Sequence, residues 1–98
     1  DLKRGLEPFR RIRDAVGDEM EILVEMHALW DLPHALRIAE ALLPFRPYWI
    51  EDPIKADNTA ALAEFARRVP VPIAVGETLA TRWCIRELLA QGAAGVVI

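Results

Sequence analysis

"PYWIE" (residues 47–51) is a short apolar run ending in a carboxylate, set between two stretches of a different period. Upstream lies "LPHALRIAEALL" (32–43), with apolar residues at helical spacing, Asp31 placed to cap it and Pro33 in its first turn. Downstream, "NTAALAEFARRV" (58–69) repeats that pattern with Asp57 or Asn58 at its cap. A five-residue strand between two helices of about 12 residues is the signature of a βα unit.

The same alternation continues outward in both directions. Residues 3–16 carry Leu6, Phe9, Ile12 and Val16 at helical spacing and close at Gly17. "EILVE" (21–25) reads as a strand, "VPIAVGE" (71–77) as another, "TRWCIRELLAQG" (81–92) as a helix, and "GVVI" (95–98) as a last strand. Strands that alternate with helices form a parallel sheet, and strands this apolar are expected to be covered on both faces. A unit of about 25 residues fits the repeat of a (β/α)₈ barrel. The fold class is therefore α/β, a partial barrel of about four βα units. A doubly wound sheet is the alternative, weakened because no glycine-rich phosphate loop follows any strand.

The bulk properties narrow the function. The 98 residues are 53% hydrophobic and 28% charged, with a net charge of −3. That balance gives no footprint for nucleic acid or an anionic membrane. No apolar run approaches the ~20 residues of a membrane span, and no signal-peptide pattern opens the chain. The single cysteine, Cys84, excludes an internal disulfide framework and fits a cytoplasmic location. The sequence opens inside a helical pattern and closes on a strand, so a segment of a longer chain is expected. Half a barrel has two open sheet edges, which favours self-association of an isolated piece.

Glu25, Glu51 and Glu77 each stand where a strand ends, 26 residues apart in both intervals. Equal spacing predicts equal height on neighbouring strands, at the C-terminal rim where barrel active sites lie. Three converging carboxylates would repel and raise one another's pKa values. A divalent cation resolves that conflict, and oxygen-only ligation suits Mg²⁺ first and Mn²⁺ second. His27 lies two residues beyond Glu25, on the same face of the strand, and so points over that metal.

Together, "VEMH" (24–27), "YWIEDP" (48–53) and "PIAVGET" (72–78) resemble the enolase superfamily, specifically its mandelate-racemase-like acid-sugar dehydratases. The resemblance spans essentially all 98 residues. It implies that Glu25, Glu51 and Glu77 bind Mg²⁺, with one departure: the first ligand is usually Asp. It implies a capping domain and the second half of a barrel elsewhere in the protein, these 98 residues being the central segment of the catalytic domain. In such enzymes the ion holds the substrate carboxylate, a base removes the α-proton, and the resulting enediolate is stabilised electrostatically. The base comes from elsewhere in the barrel. A histidine at the place of His27 resembles that of the dehydratases, where it protonates the departing 3-hydroxyl. The expected partner is a small sugar acid, in a protein that forms homo-oligomers. A racemase, an epimerase or a cycloisomerase of the same superfamily stands as the alternative, and a non-catalytic metal-binding half-barrel as the alternative of another class.

Asp52 is expected behind the metal ligands, bracing them or a neighbouring cation. Trp30, in the loop after His27, is a candidate to line the substrate pocket. Lys55 and Arg82 read as solvated loop charges, His34 as a surface residue, and Cys84 as buried packing beside Leu88.

Overall fold

The computed structural model describes residues 1–98. Helices α1 (Leu2–Gly5) and α2 (Glu7–Val16) lead into β1 (Ile22–Glu25). Then follow α3 (Leu32–Leu42), a 3₁₀ turn (Leu43–Phe45), β2 (Pro47–Glu51), α4 (Thr59–Arg68), β3 (Ile73–Val75), α5 (Arg82–Ala90) and β4 (Val96–Val97). All pairings are parallel, and the strands lie in the order β1-β2-β3-β4. A doubly wound sheet reverses its order at a switch point. Here every strand neighbours the next in sequence, as in the wall of a (β/α)₈ barrel.

Local chemistry sets the element ends. The helix expected over residues 3–16 is broken at Leu6, because Pro8 lacks the N–H that would carry the ladder through. Each helix that follows a strand is capped by a side-chain oxygen. Asp31 accepts from the His34 N–H at 3.0 Å, Asn58 from that of Ala61 at 3.2 Å, and Thr81 from that of Cys84 at 3.5 Å.

The core lies between the sheet and α3, α4 and α5. Ile22, Val24 and Met26 of the first strand, with Ile50, Ile73 and Val75, meet Ala35, Ala39, Leu42, Leu62, Phe65 and Leu88. Phe65 is fully buried, contributing about 2–3 kcal/mol by area. Every residue of β3 is buried, as expected of a strand covered on both faces, but β1 differs within these residues. Along β1 burial alternates, and Leu23 is 48% exposed. Within these residues the core helices cover the face carrying Ile22 and Val24. The other face carries Leu23, Trp49, Glu25 and Glu51, the side that looks toward the axis of a barrel.

At the N-terminal ends of the strands, the Arg13 guanidinium ties two loops together. It donates to the carbonyls of Gly17 (2.7 Å) and Met20 (3.0 Å) before β1, and to those of Phe45 (2.9 Å) and Arg46 (3.0 Å) before β2. Arg46, in a left-handed conformation (φ 52°), also pairs with Asp18.

Candidate catalytic and metal site at the strand C-termini

Glu25 and Glu51 are direct partners across β1 and β2, so their side chains leave the same face of the sheet. Glu77 is not at that register. Glu51 pairs with Ala74, and β3 ends at Val75 rather than running on to Glu77 as the sequence suggested. The stagger between barrel strands means that equal sequence intervals do not give equal heights. Glu77 stands in the loop, beyond a Gly76 that turns the chain with φ 152°. A Cβ on Gly76 would lie 2.3 Å from the Ile98 carbonyl oxygen, so only glycine lets β3 and the end of the chain approach here.

The other two strand ends turn just as sharply, without glycine. His27 and Ala28 have φ 54° each, and Asp52 has φ 41°. Left-handed conformations at such residues cost on the order of 1–3 kcal/mol each and need support from their surroundings. The support here is a ladder that outruns the strands. The Met26 N–H donates to Glu51 O (2.9 Å), Ala28 N–H to Asp52 O (2.7 Å), and Asp52 N–H to Ala74 O (3.0 Å).

The rim is crowded with negative charge. Asp52 is 1% exposed and both its carboxylate oxygens are buried without a hydrogen-bond partner. Burial first, then Glu77, Glu25 and Glu51, push its pKa up to about 6. The neighbouring Glu77 carboxylate offers Asp52 only acceptors while both are ionised, and can bond to it only once one of them holds a proton. Glu51 is raised too, by burial and by Glu25 and Glu77, against the opposing effect of the Trp49 indole N–H that donates to its Oε2 at 3.2 Å. None of these four carboxylates forms an ion pair with a lysine or arginine.

Glu25, Glu51 and Glu77 share this rim but do not close on one point. No three acidic, histidine or cysteine groups stand close enough together to enclose an ion. Glu77 departs from the register that Glu25 and Glu51 share. The donor set nonetheless fits a hard divalent cation: it is all oxygen, partly buried and uncompensated, with an orphaned carboxylate behind it.

His27 lies beside Glu25, whose Oε1 accepts from the His27 backbone N–H at 2.6 Å and stands 3.8 Å from the ring Nδ1. Trp30, 41% exposed, joins Glu25, Met26 and His27 around one cavity. Lys55 and Arg82 are exposed, and the Arg82 guanidinium lies 4.8 Å from the centre of the Trp83 ring. His34 is exposed; its backbone N–H first, and then its ring, which bonds Asp31 at 2.6 Å, hold that carboxyl below its usual range. Cys84 is a correction: it is exposed in the first turn of α5, with its sulfur 3.4 Å from the Thr81 hydroxyl, whereas Leu88 one turn on is buried. The sequence reading passed over Trp49. Its signal is position, two residues before Glu51 and therefore on the same face of β2.

Consecutive parallel strands, each followed by a helix and carrying acidic groups at the C-terminal rim, define a segment of a (β/α)₈ enzyme barrel. The enolase C-terminal domain-like family matches residues 1–98, and the chain belongs to that family. It is 31% identical over 97 residues to a D-gluconate dehydratase of Thermoproteus tenax, covering 99% of this chain and 20% of that protein. Other relatives are a D-mannonate, a D-galactonate and an arabinonate dehydratase. Among solved structures, an enolase of the mandelate racemase subgroup from Agrobacterium tumefaciens superposes with TM-score 0.93 at 53% identity, over 98% of this chain and 27% of that one. A racemase from Streptomyces coelicolor A3(2) with bound magnesium gives 0.95 at 30% identity, over 99% and 29%. The chain thus spans between 20% and 29% of the length of these relatives.

Proposed function

We propose that these residues form the acidic wall of the active site of an acid-sugar dehydratase, an enzyme that removes water from an aldonate or aldarate to give a 2-keto-3-deoxy acid. The observation that carries this reading is the rim itself. Glu25, Glu51, Asp52 and Glu77 crowd the C-terminal ends of adjacent strands with no lysine or arginine to balance them, and a histidine sits beside the first. The names of the dehydratase relatives support the same reaction class.

Glu25, Glu51 and Glu77 would hold Mg²⁺ or Mn²⁺, with Asp52 behind them. When bound, the ion supplies positive charge to the substrate carboxylate and makes the adjacent α-proton acidic. Trp49 donates to Glu51 Oε2 and so fixes the carboxylate through one oxygen. The proton on C2 passes to a base outside these 98 residues, and the electron pair left on C2 expels the hydroxyl from C3. His27 donates a proton to that hydroxyl, which leaves as water, and the enol product tautomerises to the keto acid. Trp30 borders the space above His27 and gives the sugar an apolar surface.

The test uses the full-length protein, a panel of acid sugars and His27→Asn. General acid catalysis is worth about 10²–10⁴ in rate, so dehydration should fall by that order while exchange of the α-proton with D₂O stays measurable. Equal loss of exchange and dehydration would overturn the role of His27. Racemisation of the α-carbon without dehydration would replace the reaction with the one named for the S. coelicolor neighbour. Turnover indifferent to a chelator would remove the metal.

A further inference from the structure

We infer that Glu25 is a positioning residue for His27, holding it through the backbone. This rests on reading Glu25 and His27 as parts of one dehydratase site. Just beyond β1 the N–H groups of Met26 and Ala28 are taken by Glu51 O and Asp52 O. The His27 N–H, between them, has no backbone partner. It is taken by Glu25 Oε1 at 2.6 Å, a short bond from an amide to a charged acceptor.

That bond sits at the strained point of the chain. His27 and Ala28 are consecutive residues with a Cβ and a left-handed φ of 54°. Such a pair persists only where neighbours over-determine it. Asp52 O holds the Ala28 N–H and Glu25 Oε1 holds that of His27. The ring follows the backbone, with Nδ1 3.8 Å from the same Oε1. The glutamate, where the resemblance leads one to expect aspartate, then has a use. Its additional methylene lets the carboxylate reach back to the His27 amide.

The test is made on the metal-free full-length protein labelled with [¹⁵N]histidine, with the His27 signals assigned by their loss in His27→Asn. Glu25→Gln keeps an oxygen acceptor for the amide and removes the charge, whereas Glu25→Leu removes both. The His27 amide should keep its shift and protection in Glu25→Gln. It should exchange at least about tenfold faster in Glu25→Leu, the effect of losing one charge-assisted bond. An unchanged amide in Glu25→Leu overturns the inference, as does an amide equally perturbed in both variants. If Glu25→Leu does not fold, Glu25→Gln alone decides, because its amide must match the parent. Adding Mg²⁺ to the unaltered protein separates this result from the functional reading. Signals that ignore Mg²⁺ but depend on the acceptor at position 25 sink the metal site and leave the positioning intact.

Discussion

At the N-terminal ends of β1 and β2 one guanidinium meets four carbonyl oxygens, while at the C-terminal ends of the sheet four carboxylates meet no lysine or arginine. The first end is satisfied: Arg13 gives its fork to Gly17, Met20, Phe45 and Arg46 and joins the loops that start both strands. The second end is strained, with Asp52 buried unpartnered and positive φ at His27, Ala28, Asp52 and Gly76. One sheet thus separates a satisfied end from a strained one, with stability at its N-terminal end and stored tension at its C-terminal end.

The contrast breaks most sharply if a rim carboxylate is removed. Glu51→Gln in the full-length protein should lower both dehydration and α-proton exchange by at least about 10³, the upper end of what one electrostatic group contributes at an active site. Its thermal stability should not fall, because a raised carboxylate is an unfavourable one. A large drop in melting temperature with activity retained would reverse the roles of the two ends.

Arg13→Ala is the mirror experiment. Four charge-assisted bonds to carbonyls, two in each loop, should be worth about 3 kcal/mol together, allowing for partial replacement by water. Denaturant unfolding should show that loss while kcat is unchanged. A fall in kcat at unchanged stability would mean that the two ends are coupled.

Asp52 sharpens the comparison through pH. Its folded pKa is about 6 against 3.8 for the unfolded chain, so the folded protein binds this proton more tightly. Stability from this group is therefore fully present below pH 3.8 and lost as pH rises through about 6, a change of up to about 3 kcal/mol. Asp52→Asn should flatten that slope in the metal-free protein and raise its stability at pH 7 by about 2 kcal/mol. A slope unaffected by the substitution would place the titration elsewhere. The smallest effect belongs to Trp49→Phe, which keeps the ring and deletes the donor to Glu51. Mg²⁺ affinity should weaken about tenfold, as for other groups that orient a ligand. Unchanged affinity by calorimetry would reduce the indole to packing.

Much of this was legible in the residues. The alternation around "PYWIE" carried the parallel sheet, and Asp31 and Asn58 cap the helices assigned to them. Glu25 and Glu51 fall on paired positions, although the β1–β2 register shifts between Ile22 and Leu23. Glu77 escaped that logic because register between strands depends on barrel stagger, which no count along one chain contains. Arg13 escaped for a similar reason: an arginine on an amphipathic helix looks solvated until the fold brings Phe45 and Arg46 under it. Cys84 was misplaced because helical periodicity gives the face of a residue but not how far along the sheet its turn lies.

The strand order has a consequence in time. Because β1 lies beside β2, β2 beside β3 and β3 beside β4, each strand finds its partner in the unit made just before it. At about 5–20 residues per second of synthesis, a new unit of this size emerges every few seconds. Every pairing closes a loop of roughly one unit, so the wall can grow in the order in which the ribosome releases it, and no strand has to wait for a distant one.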